Sequence, residues 1–150
     1  MDAHEQDAVR IGRAWRELRR GGMSAEFRER VYGDGLDVGQ ADALELLVLD
    51  GGCRMSELAA ALRVDASTAT RAVQRLVDAG YVERTAVPED ARGVTVVATD
   101  AGRTAHDQVA ERRRAAIVTM TSVFDDRERE ALADLLERLV TALDDLVSSS

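Results

Sequence analysis

MSELAAALRVDASTATRAVQRLVDAGYVERTAVPEDARGVTVVA, residues 55–98, is the stretch whose reading decides the fold. Its first part puts Leu58, Ala59 and Leu62 on one face of a short helix over 55–62. Arg63, Val64 and Asp65 form a tight connection. Asp65 is a good N-cap, because its carboxylate accepts an orphan backbone N–H of the helix that follows. That helix runs from about Ala66 to Ala79, buries Ala69, Val73, Leu76 and Val77, and ends at Gly80 as a C-cap. The apolar period then falls from 3.6 to 2. Tyr81 to Arg84 and Val94 to Ala98 read as strands, and Thr85 to Gly93 as a hairpin loop punctuated by Pro88 and Gly93. Two short helices across a tight turn, then a hairpin, are a helix-turn-helix with an appended β-ribbon. Such a unit sets its second helix in the DNA major groove.

Upstream, Ala8, Ile11, Trp15 and Leu18 recur at helical spacing and predict an amphipathic helix. Gly21-Gly22 weakens or ends it, residues 23–31 form a short helix through Phe27, and Gly33-Asp34-Gly35 marks a loop. The glycines leave the number of helices before residue 36 open. Residues 39–50 read as a firm helix with Ala43, Leu44, Leu47 and Val48 inward, stopped by Gly51-Gly52. Downstream, Thr99 caps a long helix from near Asp100 that carries Ala105, Val109, Ala116 and Met120. Asp125 with Glu128 resembles a capping box opening a last helix. That helix carries an apolar stripe of Leu132, Leu135, Leu136, Leu139, Val140, Leu143, Leu146 and Val147. The expected fold class is mainly α with a small β-hairpin wing.

The chain has 150 residues, 20 Arg, no Lys, 28 acids and a net charge of −8. One Pro and 24 Ala favour helix. A single Cys excludes an internal disulfide framework and a Cys-rich zinc site. The longest aliphatic run, Leu46 to Leu49, is far short of a membrane span, and no signal peptide is read, so the expected location is cytoplasmic. A net −8 argues against nucleic acid, but its distribution does not. Residues 1–53 hold 7 Arg and 11 acids, 54–103 hold 7 and 7, and 104–150 hold 6 and 10. The middle third is neutral between acidic flanks, and local charge decides what a surface attracts.

The face of the second helix opposite Ala69 and Val73 shows Ser67, Thr68, Thr70, Arg71, Gln74 and Arg75. Hydroxyls and Gln donate and accept at base edges, and Arg takes guanine O6 and N7 together. No acid occurs between Ala66 and Val77. An ordinary solvated helix face is the plainer reading of the same residues. In the loop, Arg92 suits insertion into a minor groove, with Asp90 positioned to hold its guanidinium. A surface hairpin with a local ion pair is the alternative.

These residues resemble the MarR family of bacterial transcription regulators. The resemblance rests on Glu57-Leu58-Ala59, Val64-Asp65, Ser67-Thr68, Thr70-Arg71, Arg75-Leu76-Val77, Ala79 to Arg84, Pro88 to Arg92, and Thr99-Asp100-Ala101-Gly102. Leu36, Gln40, Leu44 and Leu47 match ahead of them. The resemblance implies a winged helix-turn-helix regulator, mostly a repressor, acting as a homodimer on double-stranded DNA. It implies that helix 66–79 reads the major groove, that Asp90 and Arg92 form the wing pair, and that a small phenolic, lipophilic or oxidising signal releases DNA. It implies three regions: 1–35 N-terminal dimerisation helices, 36–99 the DNA-binding lobe, and 100–150 C-terminal dimerisation helices. Ile11, Leu132, Leu136, Leu139, Leu143 and Leu146 are the dimerisation candidates, since a lone chain would expose them. Three places depart from the family pattern, one of them the region at Gly21-Gly22 and Gly33 to Gly35, which is more broken than usual. Arg54 stands where a Ser or Thr cap is usual, so the short helix could start at Ser56, or Arg54 could touch a phosphate. Ala98 stands in place of Leu under the wing.

Trp15 and Tyr32 are candidates to line an effector pocket, with core packing the plainer expectation. Cys53 matches a small apolar position where a thiol is inert, against an oxidant-sensing role. His4 and His106 lack the spacing of a metal site, so no metal and no cofactor are expected. Arg112-Arg113-Arg114 reads as a solvated face, or as a contact to DNA backbone. No catalytic motif is present, so no enzyme is expected. The competing class is a ligand-binding or protein-interaction module of the same fold, with weak or no DNA binding.

Overall fold

A computed structural model of the chain describes residues 1–33, 35–86 and 93–149. In chain order the helices are α1 (Ala3–Gly22), α2 (Ala25–Tyr32), α3 (Val38–Asp50), α4 (Met55–Leu62), α5 (Ala66–Asp78), α6 (Asp100–Met120) and α7 (Asp126–Ser148). The strands are β1 (Cys53–Arg54), β2 (Val82–Ala86) and β3 (Val94–Ala98), and a 3-10 turn spans Thr121–Val123. Two helices therefore precede residue 36, separated by Ser24, which caps α2 by accepting from the Phe27 N–H. Capping boxes open α1 (Asp2 with Glu5), α3 (Asp37 with Gln40) and α7 (Asp125 with Glu128).

The strands form one antiparallel sheet in the order β1-β3-β2. Register runs from Val82 opposite Ala98 to Ala86 opposite Val94, and Cys53 lies opposite Val96. The wing is therefore a hairpin with a third, two-residue strand on its other edge. Gly52 permits that strand. It sits at φ +112°, and a Cβ there would lie 2.7 Å from Val97 Cγ1. Only a residue without a side chain brings the backbone this close to β3. The short helix starts at Met55, not Ser56. Arg54 occupies the N-cap with no side-chain capping bond, because a guanidinium has no acceptor to offer the helix N–H groups. Cys53 is half-buried against the core, and burial, followed by Glu57 and Asp50, raises its thiol pKa. A thiol so placed stays protonated and unreactive.

One apolar cluster joins these pieces. Leu44 and Leu47 of α3, Leu58 of α4, Val73 and Leu76 of α5, Val82 of β2 and Val96 of β3 are all buried within it. Fully burying each Leu is worth about 1.5–3 kcal/mol, so this cluster carries much of the fold. Ala98, smaller than the Leu that the family pattern has, is still buried there.

The end of α5 is tied to the start of α6 by backbone. Gly80, at φ +80°, donates to Val77 O at 3.0 Å, and Tyr81 donates to Leu76 O at 2.9 Å. This is a Schellman ending, and Gly80 meets its left-handed requirement without steric cost. Thr99 closes the junction from the other side. Its N–H donates to Tyr81 O at 3.0 Å, its hydroxyl donates to Gly80 O at 2.7 Å, and that hydroxyl accepts from Gly102 N at 3.1 Å.

The chain divides into two compact units, Met1–Arg113 and Arg114–Ser150. Within the first, α1 has no buried residue, and Ile11 and Trp15 are 57% and 49% exposed. Core packing of Trp15 within the chain, the plainer expectation, therefore does not hold. The apolar face of α1 is real but meets too little of its own unit to be covered. Arg113 also departs from a solvated face. It is mostly buried and donates to Glu45 Oε2 at 3.1 Å, fastening α6 to α3, while its Nε finds no partner among the described residues. In the second unit α7 has no buried residue; Leu136, Leu139, Leu143 and Leu146 are exposed and Leu132 is partly covered.

Gly102 gives the sharpest test of this frame. A Cβ there would lie 2.0 Å from the Tyr81 carbonyl oxygen, a backbone atom already accepting from Thr99. Gly102→Ala should cost about 2–3 kcal/mol by overpacking, where Ala in an open helix would stabilise. Urea denaturation measures this. An unchanged midpoint would show that the α5–α6 junction is not the tight seam described.

Candidate nucleic-acid interface

The interface is built on α5. Ala69, Val73 and Leu76 are fully buried, so the helix is seated on the core and cannot rotate. Ser67, Thr70, Arg71, Gln74 and Arg75 are thereby placed on the exposed face, with Thr68 at its margin. The turn before α5 is sharp because Arg63 adopts φ +58°, a left-handed conformation unusual for a residue with a side chain. Its N–H donates back to Ala60 O at 3.1 Å, and the chain reverses within three residues.

Asp65 fixes the N-terminus of the helix. Its Oδ1 accepts from the Thr68 N–H at 2.7 Å and from the Ser67 hydroxyl at 2.7 Å. These hydrogen bonds, the Thr68 backbone first, lower its pKa from 3.8 to about 2. Ser67 consequently offers lone pairs rather than a free O–H. Thr70 is similar, since its hydroxyl donates to Ala66 O at 2.8 Å.

The longer side chains differ in how far they are engaged. Arg71 makes one long contact, 3.4 Å to the Thr68 hydroxyl, and no ion pair among the described residues. A guanidinium has five donors, so most of its capacity faces solvent. Gln74 is used at both ends, donating to Asp78 Oδ1 at 2.8 Å and accepting from Arg84 Nη2 at 2.9 Å. Arg75 donates to Asp37 Oδ2 at 3.1 Å. Sequence reasoning missed Arg84 and Asp37. The first lies on β2, so the sheet pairing brings it to α5. The second is 38 residues from its partner, and only its capping-box spacing with Gln40 was readable. Asp90 and Arg92, the wing pair, lie outside the described residues.

The effector candidates do not come together. Tyr32 lines a cavity of about 270 Å3 with Leu36, Tyr81, Gln108, Val109 and Arg112, and Trp15 is not among the lining residues. Burial raises the Tyr32 pKa, so its phenol stays a neutral donor at neutral pH. Burial likewise raises the pKa of Asp42, on α3. No group of His, Cys, Asp and Glu among the described residues could hold a metal, and no helix described is long and apolar enough to cross a membrane.

The sequence model of the MarR family matches residues 34–93, which run from just before α3 to the residue before β3. Among proteins of curated function none matches significantly. Several solved structures do. A MarR transcriptional regulator from Methanosarcina mazei is 29% identical over 91% of this chain and 97% of its own, with a TM-score of 0.80. A transcriptional regulator from Thermotoga maritima is 30% identical over 93% and 98%, at 0.61. A probable transcriptional regulator from Pseudomonas aeruginosa is 29% identical over 86% and 96%, at 0.73.

The Asp65 cap predicts a pH signature. Folding lowers its pKa, so its contribution is complete above about pH 4 and is lost as pH falls toward about 2. Asp65→Asn still caps but does not titrate there. The stability difference between wild type and this variant should narrow across that window in chemical denaturation. A constant difference would remove the charged cap from the account.

Proposed function

The chain belongs to the MarR family of winged helix-turn-helix transcription regulators, and on that premise we propose that it represses transcription as a ligand-responsive homodimer on a pseudopalindromic DNA site. The observation that carries this reading is the exposed face of α5, free of acids from Ala66 to Val77, seated on a buried apolar face and presenting Arg71 with most of its donors unused. In this reading α5 enters the major groove, Arg71 takes a guanine edge, and Ser67, Thr68, Thr70, Gln74 and Arg75 contact neighbouring bases or phosphates. Arg92 of the wing, held by Asp90, reaches the adjacent minor groove.

The exposed apolar faces support the dimer. Ile11 on α1 and Leu136, Leu139, Leu143 and Leu146 on α7 would leave a large apolar surface in water, and such surfaces mark interfaces. A second copy covers them, with Leu132 beside them, in a symmetric contact. The regions 1–35 and 100–150 then serve dimerisation and 36–99 serves DNA. Two-fold symmetry sets the half-sites about one helical turn apart. The protein works in the cytoplasm, beside the chromosome.

The cavity at Tyr32 supports an effector site. Leu36 and Val109 give it an apolar wall, while the Tyr32 hydroxyl, Gln108 and Arg112 supply polar groups. That combination suits a small phenol bearing a carboxylate.

Mobility shift with the DNA flanking the protein's own gene tests the core of the proposal. A complex should form at low salt and weaken steeply with added salt, as condensed counterions are released. Arg71→Ala should cost about 1–3 kcal/mol of binding. Light scattering should give a dimer at micromolar concentration. No shift from a folded dimer would sink the DNA reading and leave the ligand-binding module. Salicylate should raise the melting temperature and release DNA, and Arg112→Ala should abolish both effects; salicylate acting equally on the variant would remove the cavity from the mechanism.

A further inference from the structure

Gln74 is held at both ends of its amide. Its Oε1 accepts from Arg84 Nη2 at 2.9 Å, and its Nε2 donates to Asp78 Oδ1 at 2.8 Å. Asp78 lies one turn further along α5. Arg84 comes from β2, where pairing with Val96 sets its position. These neighbours allow the amide one orientation. A guanidinium only donates and a carboxylate only accepts, so a flipped Gln74 would set donor against donor and acceptor against acceptor. An amide has two lone pairs and two N–H groups, so one of each stays free. Adenine matches that combination in the major groove, since Gln accepts from its N6 amino group and donates to its N7.

We propose that Arg84 is a positioning residue which, with Asp78, sets the Gln74 amide in the orientation that reads adenine and rejects guanine. The inference rests on the DNA-binding reading above. Neither contact has to break on binding, because adenine uses the lone pair and the N–H that remain. The gain is in discrimination. Guanine presents acceptors at both N7 and O6. A loose Gln74 turns its NH2 group toward both and accommodates either purine. A held Gln74 keeps its oxygen where adenine N6 would lie, so guanine O6 meets a lone pair instead of a proton. Fixing the side chain beforehand also spares rotamer freedom that a loose Gln loses on docking. Arg84 acts through Gln74 and needs no contact with DNA of its own.

The test measures base preference one position at a time. The probes are the duplex that wild-type protein enriches from a random-sequence pool, and the same duplex with each base pair changed singly. Gln74→Ala marks the adenine position that depends on Gln74. Arg84→Met keeps the side-chain stem and removes the donors. It should lower the adenine-over-guanine preference at that position roughly two- to tenfold, the worth of one hydrogen bond, and leave the other positions unchanged. Asp78→Ala should relax the same position. The two variants change charge in opposite directions, so a purely electrostatic effect would move them apart. In the Gln74→Ala background, Arg84→Met should change nothing further at that position. Melting curves confirm that each variant folds. If Arg84→Met weakens every duplex alike, with a salt slope lower by about one, Arg84 is a phosphate contact and the proposal is overturned. It is overturned equally if Gln74→Ala alters no preference for adenine, or if Arg84→Met acts as strongly without Gln74. Failure of wild-type protein to enrich any duplex is a separate result, which overturns the DNA-binding reading and this inference with it.

Discussion

The Tyr81 carbonyl is the atom on which the arrangement of this protein depends. It follows directly on the Schellman ending of α5, accepts from Thr99 N, and lies where Gly102 alone leaves room. A carbonyl with its partner in place fixes both ends of the connection. On one side it sets where α5 stops; on the other it sets where α6 begins. Since β2 starts at Val82 and β3 ends at Ala98, the same contact also closes the base of the wing hairpin. The helix α5, the wing and the start of α6 therefore share one backbone junction, and the direction of each follows from the others.

Once α5 is fixed, its outer face is a matter of chemistry rather than position. The buried face excludes rotation, and the hydrogen bonds of Asp65 set the first turn. The remaining side chains divide by how much capacity they keep. Gln74 and Arg75 are engaged by Asp78, Arg84 and Asp37, whereas Arg71 keeps most of its donors for an outside partner. A face that looks uniform as a row of polar residues is thus graded along the helix, with its freest group near the N-terminal half. That grading agrees with how a recognition helix meets DNA, N-terminal residues first.

Most of the fold was legible because its signals are local. The apolar spacing of α5, the Asp65 cap, Gly80 and the change of period at Tyr81 each act within a few residues, and together they define the helix-turn-helix and the hairpin. What was not legible depends on distant pairing. The strand β1 has two residues, too few for any period, and exists only because the edge of β3 is open to it. The Arg75–Asp37 pair joins residues 38 apart, and the burial of Arg113 against Glu45 joins residues 68 apart. Trp15 failed in the opposite direction. Its helical spacing was read correctly as an apolar face, but periodicity says that a face must be covered and not which surface covers it.

Net charge needs the same separation of local from distant. Many Arg residues are spent on acids one helical turn away, as in Arg10 with Asp7, Arg20 with Glu17, Arg103 with Asp100 and Arg129 with Asp126. Such exposed pairs add little stability, but they cancel the field of both partners at short range. A helix face dense in charge can then be nearly silent toward DNA. The effective positive charge lies where Arg makes no ion pair, and Arg71 is such a place among the described residues. A chain with net −8 is drawn to a polyanion through its local positive surface, and the Arg71 face is one such place. The absence of Lys makes every exposed cation a fork-shaped Arg, which matches a guanine edge or a phosphate at two points.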